Sequence, residues 1–354
     1  MNPDLACFIS PHGYGHATRT IALLQAVQGI IPNLTARLFT VAPPALFEQT
    51  GLSLAFNPVA ADVGLVQTDA FTADQDQTVA RLADLLPFRQ TLVDTCVDQC
   101  RSCRLILCDI SSLGIEVGRA AGIPSVLVEN FTWDWIYERL DPPVGALIRF
   151  AEILRNSYLR ADYRIQTEPL CNPVDCDLRC GPIARRPLLP RDEIRQKLGC
   201  ADRKIVLITL GGIPLALPFM EQLSSYGDYL FVVAGQSGSH RASANLCLLD
   251  RSTPLHHPDL INGADLVLCK SGYSTIAEVQ QTGTPICCIS RNNFAESAVL
   301  DRYVVDAMNG TILDQDQFFR GDWLAELPEL LQRRRTPAPV NGADQAASFI
   351  ASLL

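Results

Sequence analysis

Only five histidines occur in the 354 residues, and two of them share one short loop. The run is Ser10-Pro11-His12-Gly13-Tyr14-Gly15-His16-Ala17-Thr18-Arg19, straight after the apolar Leu5-Ala6-Cys7-Phe8-Ile9. An ordinary imidazole titrates near neutrality, so either ring can take a proton from a hydroxyl. His16 is the favoured base because it stands at an expected helix start, and His12 is the second choice. Arg19 lies three residues on, on the same helix face, and suits either an anion or an acid. Gly13 and Gly15 permit positive φ or close approach of the backbone to a ligand. The pattern is G-x-G followed by His, neither G-x-G-x-x-G nor a Walker sequence.

A second turn lies about 250 residues further along: Lys270-Ser271-Gly272-Tyr273-Ser274-Thr275-Ile276-Ala277-Glu278, after Leu266-Val267-Leu268-Cys269. Strand, tight loop and helix start offer backbone N–H groups and a positive dipole end to an anion. Ser271, Gly272, Tyr273, Ser274 and Thr275 are therefore placed at a phosphate. Glu278 either holds ribose hydroxyls or closes a T-x-x-E capping box with Thr275. Gly211-Gly212 reads as another tight strand-to-helix turn in the same half. Asn292 and Glu296, in Arg291-Asn292-Asn293-Phe294-Ala295-Glu296, are polar enough to read sugar hydroxyls. Lys270 reads as structural or phosphate-facing. No acidic D-x-D-type clamp accompanies these turns, so no metal and no cofactor is expected.

Asp109 ends an apolar run and either orients a histidine or caps the following helix, the cap being the preferred reading. Trp133, Trp135 and Tyr137 either line an acceptor pocket or cover a sheet. His256-His257-Pro258-Asp259 is too compact for a zinc pair and reads as a loop leading into a helix. Thirteen cysteines, an odd number, argue against a disulfide framework. Cys96, Cys100 and Cys103 recur on one helix face, as small buried hydrophobes would.

The elements that must position these residues alternate. Strands are expected at Leu5–Ser10, Leu34–Val41, Leu105–Cys108, Ser125–Glu129 and Tyr163–Gln166. Helices are expected at Thr18–Gly29, over 74–103 with a break at Pro87, at Leu113–Ala121 and at Val144–Leu159. A proline-rich stretch, Asn172–Pro190, reads as a linker. Strands then recur at Lys204–Leu210, Tyr229–Ala234, Leu246–Leu249, Leu266–Cys269 and Ile286–Ser290. This is the texture of parallel sheets covered on both faces. The expected architecture is α/β, with two doubly wound Rossmann-like domains facing a cleft. The expected bounds are 1–165 and 166–340, with a terminal helix at 341–354 returning to the first domain.

Composition bounds the partners. Hydrophobic residues make up 48% and charged ones 19%, and the net charge is -9. The acidic balance argues against nucleic acid. No apolar stretch is long enough for a transmembrane helix and no basic leader opens the chain, so a cytoplasmic protein is expected.

These residues resemble the GT-B glycosyltransferases, especially relatives of the lipid-II-forming N-acetylglucosaminyltransferase. Tyr14-Gly15-His16 is similar to that family's first glycine loop. Gly122–Asn130 resembles its acceptor-side strand and turn. Lys270–Glu278 resembles its donor motif, and Gly181-Pro182-Ile183 its interdomain linker. The segment His12–Arg19 looks closest to the glycosyltransferase-like domain of plant arabinose kinases. The resemblance implies an inverting, metal-independent transfer from a nucleotide-sugar, with UDP the expected nucleotide, to a hydroxyl acceptor. His16 would be the base, the 273–275 helix start would meet the diphosphate, and Glu278 would bind ribose. Two alternatives remain: a nucleotide-sugar 2-epimerase, which needs acids such as Asp109, Glu129 and Glu296, and a non-catalytic nucleotide-sugar-binding protein.

Overall fold

A computed structural model describes residues 4–48, 50–200, 202–211, 216–236, 240–250 and 253–354. The chain forms two compact units. The first comprises residues 1–68, 73–184 and 340–354, and the second 69–72 and 185–339. The break therefore falls at 184/185 and not at 165/166. The reason is that the first sheet continues past Tyr163–Thr167 into Leu178–Cys180, inside the stretch read as a linker.

The first unit is a seven-stranded parallel sheet of β1 (Leu5–Ile9), β2 (Thr35–Phe39), β3 (Ser53–Asn57), β4 (Leu105–Asp109), β5 (Ser125–Glu129), β6 (Tyr163–Thr167) and β7 (Leu178–Cys180). The spatial order is β3-β2-β1-β4-β5-β6-β7. The strands β1, β4 and β5 are buried on both faces, which is why they read as unbroken apolar runs. Helices Gly15–Ile30 and Gly342–Leu353 pack into one core with β1 and β2. Helix Ser112–Ala121 packs against β1, β4 and β5, and ends at Gly122, whose φ is 68°.

The second unit repeats the plan with β8 (Lys204–Thr209), β9 (Tyr229–Gln236), β10 (His240–Ser243), β11 (Leu246–Asp250), β12 (Leu266–Lys270), β13 (Ile286–Ile289) and β14 (Thr311–Leu313). The order is β10-β11-β9-β8-β12-β13-β14, parallel except for the edge strand β10. Helices His257–Gly263, Tyr273–Thr282 and Ser297–Met308 contribute to the core on one face. The other face buries Phe219, Phe318 and Trp323 together with Ala70 and Phe71. No helix among the described residues is long and apolar enough to cross a membrane.

In each sheet the strand order reverses at one place, between β1 and β4 in the first unit and between β8 and β12 in the second. Open α/β sheets bind ligands beyond the carboxyl ends of their strands at such a switch point.

Candidate active site

In the first unit the switch point gathers the sequence-predicted base. Ile9 and Asp109 are register partners at the carboxyl ends of β1 and β4. The loop after β1 turns through Gly13 at φ 65°, a value glycine adopts without strain. Gly15 does not use that freedom; it is the first residue of helix Gly15–Ile30. The second residue is His16, buried, with Nδ1 2.8 Å from Asp109 Oδ1. Among the described residues nothing bonds its Nε2.

Asp109 does not cap the helix that follows. Its carboxylate accepts Arg19 Nε at 2.9 Å, Arg19 Nη2 at 2.6 Å and the Thr20 hydroxyl at 3.2 Å. Burial pushes this carboxyl up, but the Arg19 guanidinium and the bond from His16 outweigh burial and hold it below its ordinary value. Arg19 thus pairs with an acid, and its Nη1 also donates to Asn130 Oδ1 at 2.8 Å. An ionised Asp109 fixes Nδ1 as the protonated nitrogen of His16 and leaves Nε2 as a proton acceptor.

The backbone is strained just after Asp109. Ile110 has φ 53°, a left-handed conformation that is an outlier for a β-branched residue. Such a residue costs about 1–3 kcal/mol, and outliers of this kind cluster at functional sites. Tyr158 Oη donates to the Ile110 carbonyl at 2.9 Å, and the Ile110 N–H reaches the Val128 carbonyl at 3.3 Å.

His12 is placed differently. Its Nδ1 accepts the Leu65 N–H at 3.3 Å, and its ring meets the edge of Trp133 with centroids 4.9 Å apart. Trp133, Trp135 and Tyr137 are all buried, and Trp133 also approaches the His16 ring. Behind them lies Asp62, which has no counterpart in the sequence reading. Burial pushes its carboxyl up to about 7, although the Val63 N–H, Ser10 and Trp133 pull it down.

In the second unit, helix Tyr273–Thr282 starts three residues after β12 ends. Gly272 holds the cap position without a side-chain bond, and no acid occupies the first turn. The Ile276 N–H lies 3.2 Å from the Gly272 carbonyl. A helix start with no acid in its first turn keeps its positive end. Ser271, by contrast, is committed: its N–H bonds the Ile289 carbonyl at 2.9 Å and its hydroxyl donates to Asp301. Gly211 takes φ 81°. The turn it opens runs into residues outside the described set, and the next helix described is the short 3-10 helix Gln222–Ser225. Gly212 lies outside the described residues.

Glu278 does not close a capping box with Thr275. Arg185 Nε donates to its Oε1 at 2.7 Å, and His257 Nδ1 stands 2.7 Å from its Oε2. Burial raises this carboxyl, but Arg185 and His257 prevail and bring it down to about 2. Glu278 is therefore a buried, fixed carboxylate, with lone pairs remaining beyond these two bonds. The other ring nitrogen of His257 is 3.0 Å from Thr209 Oγ1 at the end of β8. Glu296 pairs with Arg291 at 2.6 Å, while Asn292 is exposed.

No protein-family model matches the chain. It is 26% identical over 356 residues to an L-arabinokinase of Arabidopsis thaliana, an alignment covering 98% of this chain and 34% of that protein. Over 118 residues it is 29% identical to a UDP-N-acetylglucosamine–N-acetylmuramyl-(pentapeptide) pyrophosphoryl-undecaprenol N-acetylglucosamine transferase of Desulforudis audaxviator, covering 27% of this chain and 31% of that one. The chain thus spans about a third of the length of these curated relatives. Among solved structures it resembles the glycotransferase of kitacinnamycin, with TM-score 0.62 and 18% identity over 99% of both chains. Arabidopsis thaliana UGT89C1, solved with UDP, gives TM-score 0.63 and 12% identity over 99% of both. MurG of Acinetobacter baumannii gives 0.55 and 10% over 99% of both. The fold is the GT-B glycosyltransferase fold.

Within this GT-B chain, three site residues escaped the sequence reading. His257 was hidden in a compact His-His-Pro-Asp run, although Pro258 at the first helical turn marked a helix start. Arg185 lay in the stretch read as a linker. Asp62 carries no local signal at all.

Proposed function

We propose that the chain is a glycosyltransferase that moves a sugar from a nucleotide-sugar, with UDP as the nucleotide, to a hydroxyl acceptor, with inversion and without a metal. The observation that carries this reading is the His16–Asp109 pair, which leaves His16 Nε2 as an unoccupied base at a switch point. His16 Nε2 takes the proton of an acceptor hydroxyl. The freed oxygen attacks the anomeric carbon, and the bond from that carbon to the distal phosphate oxygen breaks. Asp109 stabilises the imidazolium that results. The helix start at Tyr273 receives the charge that builds on the leaving diphosphate. Glu278, ionised and held from two sides, accepts hydrogen bonds from the ribose hydroxyls.

Inversion is supported by the state of Asp109. Retention through a covalent intermediate requires a free carboxylate nucleophile, whereas Asp109 is buried and bonded to His16, Arg19 and Thr20. The epimerase reading requires acids free to work on both sides of a sugar. Glu129 accepts Gln166 Nε2 at 2.8 Å and Glu296 pairs with Arg291, so transfer is the better-supported reaction.

The test begins with calorimetry of UDP, ADP and GDP, each with Mg²⁺ and with chelator. Anomeric analysis of the product from the tightest donor follows. Metal-free binding of UDP and an inverted anomer are expected. Binding only with Mg²⁺, or a retained anomer, contradicts the scheme.

A further inference from the structure

Lys270 is the last residue of β12 and stands on the switch-point side of that strand's neighbour, β8. It is half-buried. Among the described residues its one hydrogen-bond contact is the Ala70 carbonyl, at 3.5 Å, the far limit of such a bond. A Cβ added at Gly211 would stand 3.4 Å from Lys270 Nζ, so the amine lies against the Gly211 turn. The helix whose cap residue is Gly272 begins at Tyr273, three residues on.

The charged groups that act on it are Arg291, Glu296 and Asp69. Arg291 is buried, and among the described residues its Nε has no hydrogen-bond partner. Glu296 is already paired with Arg291. A half-buried amine and the buried Arg291 thus act on one another near the helix start, answered by the paired Glu296 and by Asp69. Burial first, and Arg291 second, bring Lys270 down to about 7, while Glu296 and Asp69 act in the opposite direction. Burial favours the neutral amine, and an arriving phosphate favours the ammonium.

We propose that Lys270 is the side chain that meets the donor diphosphate and takes a proton from solvent as the nucleotide binds. The inference rests on the reading of the second unit as the donor site. Lys270 then supplies the mobile positive charge there, and its protonation is linked to occupancy. In the free protein the charge is largely absent above neutrality, so the amine need not stay charged beside Arg291 before an anion arrives.

The experiment is calorimetry of UDP binding at about pH 8 in buffers of different ionisation enthalpy, which counts protons exchanged. At that pH a terminal phosphate, with its second pKa near 6, is already fully ionised. The parent protein is expected to take up close to one proton per UDP. Lys270→Arg, whose guanidinium stays charged, should bind UDP within about tenfold of the parent with no uptake. Lys270→Gln should bind about 10–150-fold more weakly, also without uptake. Thermal melts confirm that both variants are folded. UDP binding by the parent with the same proton count as Lys270→Arg overturns the role of Lys270 and leaves the donor site standing. Unchanged affinity in Lys270→Gln does the same. Failure of UDP, ADP and GDP all to bind the parent overturns both.

Discussion

The two switch points are built from the same three groups and differ in one nitrogen. In the first unit His16 Nδ1 meets Asp109 at 2.8 Å and Arg19 grips the same carboxylate at 2.6 Å. In the second, His257 Nδ1 meets Glu278 at 2.7 Å and Arg185 grips it at 2.7 Å. Both carboxylates are buried and held ionised. The difference lies at Nε2. His257 has Thr209 Oγ1 at 3.0 Å, whereas His16 has nothing among the described residues. A histidine bonded at both nitrogens is a strut, and one bonded only at Nδ1 is a base awaiting a proton. In the proposed function the same triad serves chemistry in one unit and fixes a binding carboxylate in the other.

The comparison can be broken first at Asp109. Asp109→Asn loses the anion that fixes the tautomer of His16, and turnover should fall on the order of tenfold to a thousandfold with UDP affinity unchanged. Equal turnover would mean that the first triad does not orient a base. The corresponding change in the second unit should read out as binding. Glu278→Ala is expected to weaken UDP by about 1–3 kcal/mol by calorimetry, the scale of a lost charged hydrogen bond. If affinity is unchanged in the folded variant, the ribose role is removed.

His12 sharpens the contrast from inside the first unit. Its Nδ1 already accepts a backbone N–H, so His12→Ala should leave turnover within about tenfold of the parent. A loss as large as that of the His16 variant would exchange their roles.

The smallest effect concerns Asp62 and pH. Its folded carboxyl titrates near 7, against about 3.9 in an unfolded chain. Between those values the folded state binds the extra proton, so this group's contribution to stability is full below about 3.9 and is lost as pH rises through 7. Asp62→Asn should therefore melt progressively higher relative to the parent as pH goes from 5 to 8. A constant difference in melting temperature would show that Asp62 is not the titrating group. Glu278 has the opposite sign: its stabilisation is present above about 4.3 and disappears as pH falls toward about 2.

Much of this architecture was legible because it is local. Apolar runs marked β1, β4, β5, β8, β12 and β13, and Gly283, at φ 66°, ends the helix Tyr273–Thr282. The two strand-to-helix turns at His16 and Tyr273 followed from the glycines that come after β1 and β12. The Glu278 triad was not legible, and the His16–Asp109 pair was legible only as one of two readings of Asp109. Asp109 meets a histidine 93 positions away and Glu278 an arginine 93 positions away, and no periodicity encodes such pairs. Locally, a helix cap was the preferred reading of Asp109 and one of two readings of Glu278, because an acid near a helix start is often a cap. The strands β3, β7 and β14 escaped because each is short or half-exposed at a sheet edge, where the apolar signal is weakest.

The most direct measurement sets the two histidines side by side. His16→Ala and His257→Ala are assayed for UDP release from a UDP-sugar in the presence of acceptor, and for UDP affinity on the same preparations. His16→Ala should lose turnover on the order of 10²–10⁴-fold and keep the parental affinity, the loss expected for a missing general base. His257→Ala should weaken UDP and leave turnover at saturating donor within about tenfold of the parent. The opposite pattern, with His16→Ala turning over at the parental rate and His257→Ala inactive at full occupancy, would contradict the assignment of base and strut.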